Sequence, residues 1–297
     1  NDDVRNLLEL SDWSPLHVQP RVLIPVRCLG LEYLVNRWLA PILSWFCMTV
    51  FCVARPVRIR TTKARTVSVI IPARNEAGNI AAAVARTPEM GAGTELVFVE
   101  GHSQDDTWEQ IQKIQRDHPD KKIQIMQQTG KGKGDAVRMG YAAASGDILM
   151  ILDADLTVPP EDLPKFYEAL VSGKGEFING TRLVYPMEQE AMRFLNTLGN
   201  KFFSRAFTYL LEQRFKDTLC GTKVMTRENY ENLAANRHYF GDFDPFGDFD
   251  LIFGAAKLNL KIVEVPIRYR ARTYGDTSIS RFRHGWILLK MCFFAFR

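Results

Sequence analysis

Short β-rich runs alternate with helical segments along residues 67–152, and this alternation limits the possible folds more than any other feature of the chain. The β-rich runs are VSVIIP at 67–72, ELVFVE at 95–100, KIQIMQ at 122–127 and DILMIL at 147–152. Segments of helical composition lie between them, at 77–87, 105–117 and 134–145. Repetition of strand and helix is typical of a parallel sheet. We therefore predict an α/β fold with a mostly parallel sheet and helices on both of its faces.

Other segments predict further elements on either side of this region. The sequences EFINGTR at 176–182 and KIVEVPIRYR at 261–270 predict two more strands, and residues 190–212 predict an amphipathic helix between them. Near the beginning, VRNLLEL follows Asp2 and Asp3, which are suited to capping a helix. Two strand-like runs, HVQPRVLIP and FCMTVFCVA, follow this helix.

Polar residues collect where the four runs of the α/β region end. They occur in PARNE, EGHSQDD, TGKGKGD and DADLT. Ligands of parallel sheets bind at the carboxyl ends of the strands, so this convergence predicts a ligand site at one edge of the sheet. In the first segment, Asn75 and Glu76 are suited either to hydrogen-bonding a nucleoside or to capping the next helix.

The last of these runs leads directly into two aspartates, Asp153 and Asp155. Alternate residues of a strand share a face, so both carboxylates can point the same way, where they repel one another. A divalent cation is the simplest compensation, because Mg²⁺ and Mn²⁺ bind one or two carboxylates together with substrate phosphates. An ordinary turn or helix cap is the alternative, since aspartate favours both and Pro159 follows.

A glycine-rich loop, TGKGKGDA, precedes the third helical segment at 129–136. Its glycines let the backbone approach a ligand, and a helix N-terminus attracts anions. Lys131 and Lys133 add positive charge. The loop lacks the spacing of a Walker A motif, and a solvated turn is the alternative to a phosphate site.

Charge and cysteine content exclude several classes of protein. The net charge of +4, from 38 Lys and Arg against 34 Asp and Glu, is too small to predict nucleic-acid binding. Arginines nevertheless crowd residues 55–65 and 268–283, where they are suited to solvent, phosphates or anionic lipid. The chain has five cysteines, an odd number, so the sequence suggests no disulfide framework. This favours a reducing, cytoplasmic setting. Cys47 and Cys52 lack neighbouring partners for a zinc site.

Residues 38–54 carry no charge, and Arg37 and Arg55 flank them. The length is borderline for a membrane span. Pro41 and the β-rich second half favour a short helix followed by a buried strand, with a membrane segment as the alternative.

The order of the motifs resembles that of inverting family 2 glycosyltransferases with the GT-A fold. The resemblance covers about residues 66–283 and rests on P72-x-x-N75-E76, the segment 99–107, the K-G-x-G loop, and G146-D147 followed by D153-A-D155. Within this family the chain is most similar to the polyprenyl-phosphate sugar synthases. That similarity rests on INGTR at 178–182, Arg193, KDTLCGTK at 216–223, GDFDL at 247–251 and EVPIRYRARTYGDTS at 264–278.

The resemblance implies a nucleotide-diphosphate sugar as the donor, linked to uridine or guanosine, and a hexose as the transferred group. It implies donor binding by Pro72, Arg74, Asn75, Glu76, Glu100, Ser103, Asp105, Lys131, Lys133 and Asp135. Asp153 and Asp155 would hold Mg²⁺ or Mn²⁺ on the pyrophosphate, where the cation acts as a Lewis acid. The acceptor would attack the sugar from the opposite face and invert its configuration.

Two kinds of acceptor remain open. A saccharide hydroxyl needs a carboxylate base, whereas a lipid phosphate, with a second pKa of about 6, is already largely dianionic at neutral pH. A dolichyl or undecaprenyl phosphate would instead need positive charge, which the resemblance assigns to Arg182, Arg193, Arg270 and Arg272, with Ser278 beside them. Asp248 and Asp250 are predicted to orient these arginines, or to act as the base for a sugar acceptor.

The chain departs from the family pattern at two places. Glu100 stands where an aspartate normally contacts the nucleobase, which leaves the donor base open. Near the end of the chain, the usual lysine after the serine is replaced by Ile279, so its phosphate contact is predicted to have moved to Arg281.

The resemblance also predicts the domain organisation. Residues 1–56 resemble the C-terminal end of a class I SAM-dependent methyltransferase without its SAM-binding half, which predicts that the chain is the tail of a fusion protein. Residues 57–66 are predicted to be a linker, and 67–283 the glycosyltransferase domain. The apolar residues 284–297 predict a truncated helix near a membrane, and with it a peripheral location at the cytoplasmic face of that membrane.

Three rival functions share parts of this pattern. ILMILDADLT also matches the motif of haloacid-dehalogenase-like phosphohydrolases, in which Asp153 would be the nucleophile and Asp155 the general acid, but that motif normally opens its domain. A nucleotidyltransferase would need its glycine-rich loop at the first strand. A non-catalytic binding domain would not need the metal and loop residues, although truncation could leave this fragment inactive.

Overall fold

The computed structural model of the protein describes residues 2–40, 42–57, 63–182, 194–211, 213, 215–237, 249–270, 272, 274 and 290. These residues divide into two compact units. The first lies within 1–59 and 211–214, and the second within 60–210 and 215–297. The division at residue 59 falls inside the predicted linker 57–66. The predicted linker and the predicted limits of the domains stay predictions.

The described part of the first unit contains two helices and a two-stranded antiparallel sheet. Its elements are α1 (Asp2–Leu10), β1 (Trp13–Arg21), α2 (Leu31–Trp38), a 3₁₀ turn (Ser44–Phe46) and β2 (Thr49–Pro56). The two strands pair from Trp13 opposite Pro56 to Arg21 opposite Thr49. The helix predicted after Asp2 and Asp3 is confirmed as α1.

The short helix and the strand predicted within 38–54 correspond to the 3₁₀ turn and β2, but the prediction that this strand is buried is wrong. Exposed and partly buried side chains alternate along β2, and Phe51 is 56% exposed. The cause is that alternate residues of a two-stranded sheet point to opposite faces. Among the described residues, none of the helices combines the length and the apolarity that crossing a bilayer requires.

The second unit is built on a seven-stranded sheet. Its strands are β3 (Val67–Ala73), β4 (Thr94–Glu100), β5 (Lys122–Gln127), β6 (Ile148–Ile151), β7 (Phe177–Thr181), β8 (Lys223–Thr226) and β9 (Ile262–Pro266). Their spatial order is β5-β4-β3-β6-β8-β7-β9. Only β8 is antiparallel to its neighbours in this sheet. The predicted mostly parallel sheet is confirmed.

Helices connect these strands. They are α3 (Ile80–Arg86), α4 (Thr107–Asp117), α5 (Lys133–Ala143), α6 (Leu163–Val171), α7 (Phe194–Leu211), α8 (Arg227–Ala235) and α9 (Phe249–Lys257). The first three correspond to the predicted helical segments, and α7 covers the described part of the helix predicted over 190–212. Strand β9 ends at Pro266, four residues before the predicted end.

The central strands β3, β4 and β6 are mostly apolar because both faces of the sheet are covered. On one face, Phe98 and Met150 belong to a core that also contains Ile111 of α4 and Phe166 of α6. On the other face, α5 lies so close to Ile70 that a Cβ at Gly140 would be only 2.5 Å from its side chain. Burial on both faces therefore explains the continuous apolar runs in the sequence.

Candidate active site

Asp153 and Asp155 lie in the turn that follows β6. The strand ends at Ile151, and the amide of Leu156 donates to the carbonyl of Asp153 at 3.1 Å, with Leu156 at a φ of 52°. The prediction that strand alternation orients the two carboxylates is therefore wrong. A turn, rather than the strand itself, places them at the carboxyl end of the sheet.

Asp153 is paired with the first residue of α5. The ammonium of Lys133 lies 2.6 Å from Oδ1 of Asp153, whose side chain is 25% exposed. Burial alone would raise the pKa of Asp153, but the charges of Lys133, Lys223 and Arg182 together lower it below its usual value. The carboxylate is thus held in its ionised form.

Two residues of the segment KDTLCGTK surround this pair. Lys223 of β8 is fully buried, and its ammonium donates to the carbonyl of Cys220. Gly221 lies so close to the ion pair of Lys133 and Asp153 that a Cβ at residue 221 would overlap both charged groups. Only a residue without a side chain allows this approach.

Asp155 uses its two oxygens differently. Oδ1 accepts hydrogen bonds from the amide and the hydroxyl of Thr157, at 3.1 and 2.8 Å. Oδ2 accepts one from Nη2 of Arg272 at 2.6 Å. One oxygen therefore stabilises the turn, as the alternative interpretation of the motif requires, while the other carries an ion pair.

Arg272 connects Asp155 to Glu76. Its Nη1 lies 3.5 Å from Oε1 of Glu76, and Nδ2 of Asn79 donates to the other oxygen at 2.7 Å. Burial raises the pKa of Glu76 to about 7, even though Asn79 and Arg272 oppose this rise. Glu76 is thus a buried carboxyl group that titrates near neutral pH.

The loops after β3 and β4 are joined by reciprocal hydrogen bonds. The amide of Asn75 donates to the hydroxyl of Ser103 at 3.0 Å, and the amide of Gln104 donates to the side chain of Asn75 at 2.7 Å. The amide of Ala77 donates to Asp105 at 3.3 Å, as does the hydroxyl of Tyr274. The structure therefore brings together Asn75, Ser103 and Asp105, which the sequence predicted in one donor site.

The other predicted donor residues differ in exposure. Glu100 is buried, and its Oε1 accepts from the amide of Ser103 at 2.5 Å. Pro72 is partly buried in β3, whereas Arg74 and Lys131 are exposed. Whether these residues contact a donor stays a prediction.

Asp135 stabilises the glycine-rich loop from within. Its Oδ2 accepts from the amide of Gly130 at 3.1 Å and from Nε2 of Gln128 at 2.9 Å. Gly132 has a φ of 87°, which permits the turn into α5. The ring of His102 contacts the carbonyl of Gly130 at 3.0 Å and so links this loop to the one after β4.

The predicted acceptor residues do not share one environment. Arg182 is buried and forms two hydrogen bonds with Asp217, at 2.7 and 2.8 Å, while its guanidinium lies 5.1 Å from the ring centre of Tyr269. Arg270 is exposed, and its amide donates to the carbonyl of Thr157 at 2.9 Å. The predicted residues Arg193, Asp248, Ser278 and Arg281 lie outside the described residues.

Asp250 is buried in the first turn of α9. It forms ion pairs with Arg138 at 3.9 Å and Arg237 at 3.4 Å. These partners differ from the arginines that the sequence analysis assigned to it. Its role as a base stays a prediction.

The oxygen ligands in this site fit a divalent cation whose remaining ligands come from a substrate. Within the described ranges, His, Cys, Asp and Glu side chains nowhere form a group of three or more suited to holding a metal. Asp153 and Asp155 supply hard carboxylate oxygens, and Mg²⁺ typically takes one or two of these together with phosphates and water. The two aspartates therefore suit a metal that a pyrophosphate completes.

Sequence reasoning missed several residues of this site. Thr157, Asp217, Tyr274 and Arg138 were not singled out. Thr157 carried a usable signal, because a threonine two residues after an aspartate is typical of a side-chain-stabilised turn. The other contacts join segments far apart in sequence, and a single sequence does not show such pairing.

Known proteins resemble the chain in sequence and in fold. A profile of the family described as glycosyl transferase family 2 matches residues 68–233. A dolichol-phosphate mannosyltransferase of Pyrococcus furiosus is 32% identical over 219 residues, which cover 72% of this chain and 59% of that protein. A dolichyl-phosphate hexose transferase of Haloferax volcanii is 28% identical over 219 residues, covering 73% and 88%.

A solved structure has the same fold. It is glucosyl-3-phosphoglycerate synthase from Mycobacterium tuberculosis in complex with Mn²⁺ and UDP-glucose, with a TM-score of 0.56 and 20% identity. The similarity covers 77% of this chain and 79% of that one.

The family match begins at Ser68 and does not reach residues 1–56, so the methyltransferase resemblance of that segment stays a prediction. The match does include the loops after β3 and β4, the glycine-rich loop and the two aspartates, whereas Arg272 and Tyr274 lie beyond its end. The chain is a glycosyltransferase and belongs to glycosyl transferase family 2.

Proposed function

We propose that the protein transfers a hexose from a nucleotide-diphosphate sugar to a polyprenyl phosphate, with inversion and with a divalent metal. The observation that carries this proposal is the pair of aspartates after β6, each in contact with a cationic side chain, Lys133 or Arg272. Carboxylates suit a metal, and cations beside them suit the phosphates on both substrates.

The donor would lie across the carboxyl ends of β3, β4 and β6. The joined loops that contain Asn75, Glu76 and Ser103 would hold the nucleoside. The glycine-rich loop and the first turn of α5 would face the pyrophosphate, since a helix N-terminus favours anions. The M. tuberculosis synthase, which has the same fold, was crystallised with UDP-glucose and Mn²⁺, and this supports a uridine donor.

Asp153 and Asp155 are the residues that would hold Mg²⁺ or Mn²⁺. When bound, the cation would act as a Lewis acid that offsets the negative charge of the departing nucleoside diphosphate. Lys133 keeps Asp153 ionised and would remain beside the same phosphates.

A lipid phosphate explains the site better than a saccharide hydroxyl does. A phosphate oxygen would attack C1 of the sugar, while the bond from C1 to the diphosphate oxygen breaks and the nucleoside diphosphate leaves. This reaction needs no proton removed from the acceptor. Asp250, the described candidate for a base, is instead paired with Arg138 and Arg237. The names of the P. furiosus and H. volcanii relatives support a dolichyl phosphate.

The lipid acceptor implies contact with a membrane surface, which we place at its cytoplasmic face. In the first unit, the segment between α2 and β2 exposes large apolar side chains, with Ile42 72%, Trp45 93% and Phe46 71% exposed. Exposed aromatic and apolar side chains are suited to the interface of a bilayer. Flotation of the protein with liposomes, compared with the variant Trp45→Ser/Phe46→Ser, tests this contact.

A comparison of two acceptors tests the proposed reaction. The protein would be incubated with Mn²⁺ and UDP-glucose, UDP-N-acetylglucosamine or GDP-mannose, and with either a polyprenyl phosphate or the corresponding polyprenol. We expect glycolipid from the phosphate alone, no product in EDTA, and no product from Asp155→Ala. Product from the polyprenol or a free saccharide would instead support a hydroxyl acceptor. Cleavage of phosphate esters without sugar transfer would support the phosphohydrolase alternative.

A further inference from the structure

The guanidinium of Arg272 lies between two carboxylates that belong to different parts of the site. Its Nη2 is 2.6 Å from Oδ2 of Asp155, and its Nη1 is 3.5 Å from Oε1 of Glu76. Asp155 follows β6, whereas Glu76 follows β3, in the loop predicted to hold the nucleoside. Arg272 therefore connects the metal position to the donor position.

The contact with Asp155 involves the one oxygen that the turn does not use. Oδ1 is occupied by the amide and the hydroxyl of Thr157, so Oδ2 is the atom best placed to bind a cation. In the structure, Nη2 of Arg272 occupies that position. A metal ion and the guanidinium would compete for the same oxygen.

The two cationic side chains of the site, Lys133 and Arg272, differ in how the fold holds them. Lys133 begins α5 and reaches Asp153 from a regular helix. Arg272 lies beyond the end of β9, in a segment where the amide of Arg270 donates to the carbonyl of Thr157 at 2.9 Å. Glu76 offers the guanidinium a second partner at 3.5 Å, so Arg272 is not held by Asp155 alone.

We propose that Arg272 is an exchangeable counter-ion of Asp155. In the empty enzyme it pairs with this carboxylate, and when the metal and the nucleotide diphosphate bind together it transfers to a substrate phosphate. This inference rests on the proposed function, because it requires Asp155 to be a metal ligand. It makes Arg272 a residue that couples metal binding to donor binding.

The exchange predicts a measurable coupling. A metal ion that binds alone must displace the guanidinium of Arg272, which then has no phosphate to bind. The affinity of the free enzyme for the metal ion is therefore lowered. A nucleotide diphosphate supplies the phosphate that the guanidinium then binds, so metal and nucleotide favour each other's binding. By linkage, each raises the affinity for the other by the same factor.

Mn²⁺ binding, measured by the electron paramagnetic resonance signal of the free ion, tests the exchange without requiring catalysis. We expect Arg272→Met to bind Mn²⁺ about five- to tenfold more tightly than the wild type without nucleotide. We also expect UDP to improve Mn²⁺ binding less in this variant than in the wild type. Arg272→Lys, which keeps the charge but cannot bridge both carboxylates, is expected to lie between the two.

Arg86→Met is the matched control. Arg86 forms two hydrogen bonds with a single carboxylate, Glu161, at 2.7 and 2.9 Å, and this pair lies between α3 and the 3₁₀ turn at Pro160–Asp162. The Arg86→Met substitution removes an arginine–carboxylate ion pair and leaves Asp155 and its partners in place. We expect its Mn²⁺ affinity to equal that of the wild type, with and without UDP.

The outcomes separate this inference from the proposed function. If Asp155→Asn abolishes Mn²⁺ binding but both Arg272 variants bind Mn²⁺ and respond to UDP like the wild type, the exchange is wrong and the metal site stands. If the wild type binds no Mn²⁺ even with UDP, both the exchange and the proposed metal site are wrong. Circular dichroism of both Arg272 variants establishes that the comparison is made on folded protein.

Discussion

The ammonium of Lys133 lies 2.6 Å from the carboxylate of Asp153, which joins the first turn of α5 to the turn after β6. The glycine-rich loop and the aspartate pair are separate motifs in the sequence, but this ion pair makes them one site. Gly221 lies against both members of the pair. The position of the segment after Cys220 therefore depends on the absence of a side chain at residue 221.

Gly221→Ala is expected to lower kcat/KM at least tenfold, because the new Cβ would displace the Asp153 carboxylate from Lys133. Steady-state kinetics and a thermal melt measure the effect on activity and stability separately. Gly199→Ala in α7 is the control, since a Cβ there meets no atom within 4 Å among the described residues, apart from its chain neighbours and the backbone of its own helix. Equal kinetics of the Gly221 variant and the wild type would contradict the close packing at this position.

Glu76→Gln is expected to stabilise the protein at pH 8 and to have little effect at pH 4. Burial raises the pKa of Glu76 from 4.5 to about 7. The folded state therefore binds the proton more tightly, and stability falls as the pH rises from about 4.5 to 7. The full shift corresponds to about 3 kcal/mol as an upper limit.

Urea unfolding of both proteins in EDTA, at several pH values, measures this dependence. Glu161→Gln serves as a comparison, because the pKa of that exposed carboxyl is lowered, chiefly by its hydrogen bond with Arg86. A difference between Glu76→Gln and the wild type that does not change with pH would show that Glu76 does not titrate in the predicted range.

Ionisation of Glu95, at the other end of the sheet, is expected to stabilise the fold, whereas ionisation of Glu76 destabilises it. Glu95 is buried near the start of β4, and although burial alone would raise its pKa, hydrogen bonds from Ser68, Ser145 and Lys122 lower it to about 2. Its stabilising contribution is present above about pH 4.5 and is lost as the pH falls toward 2. Glu95→Gln should therefore cost up to about 3 kcal/mol at pH 7.

Urea unfolding of the wild type and Glu95→Gln at pH 7 and pH 3 measures how the difference in stability changes with pH. The loss of stability should be larger at pH 7, while activity per folded molecule should stay unchanged, since Glu95 lies far along β4 from Glu100 and the site. A larger loss at pH 3 than at pH 7 would contradict the depressed pKa.

Substitution of Arg182 is expected to lower stability, whereas substitution of Arg270 is expected to weaken acceptor binding, although both residues were predicted to bind the acceptor phosphate. Arg182→Met leaves the buried Asp217 without its bidentate partner and should destabilise the fold by about 3–5 kcal/mol. Arg270→Gln removes an exposed side chain and should leave stability unchanged while raising the KM for polyprenyl phosphate. Melting temperatures and acceptor titrations of the two variants distinguish the structural role from the binding role.

Local patterns in the sequence predicted the sheet well. The runs at 67–72, 95–100 and 122–127 are strands β3, β4 and β5 within one residue at each end. The largely apolar sequences of β3 and β4 reflect burial on both faces, whereas the alternating sequence of β5 suits the edge of the sheet. Strand β8 was missed, since KVMT is short and begins with a lysine whose burial depends on distant residues. Helices α6, α8 and α9 were missed for want of clear boundaries in the sequence.

The site was predicted as a set of residue types rather than as a set of contacts. The sequence identified Asp155, Arg272 and Glu76, but it assigned them to the metal, the acceptor and the donor separately. The structure places them in one chain of ion pairs, with Arg272 117 residues after Asp155. The neighbouring strands β3 and β6 bring Glu76 close to Asp155, and the chain beyond β9 returns to them with Arg272. A single sequence shows neither relationship.

The most direct test of the proposed activity is mass spectrometry of the lipid formed from UDP-glucose and a short polyprenyl phosphate. We predict a hexosylated polyprenyl phosphate with the wild type in Mn²⁺, and none in EDTA or with Asp155→Asn. The same glycolipid from Asp155→Asn, or from the wild type in excess EDTA, would contradict the role of the two aspartates. Consumption of UDP-glucose without any lipid product would contradict the lipid-phosphate acceptor.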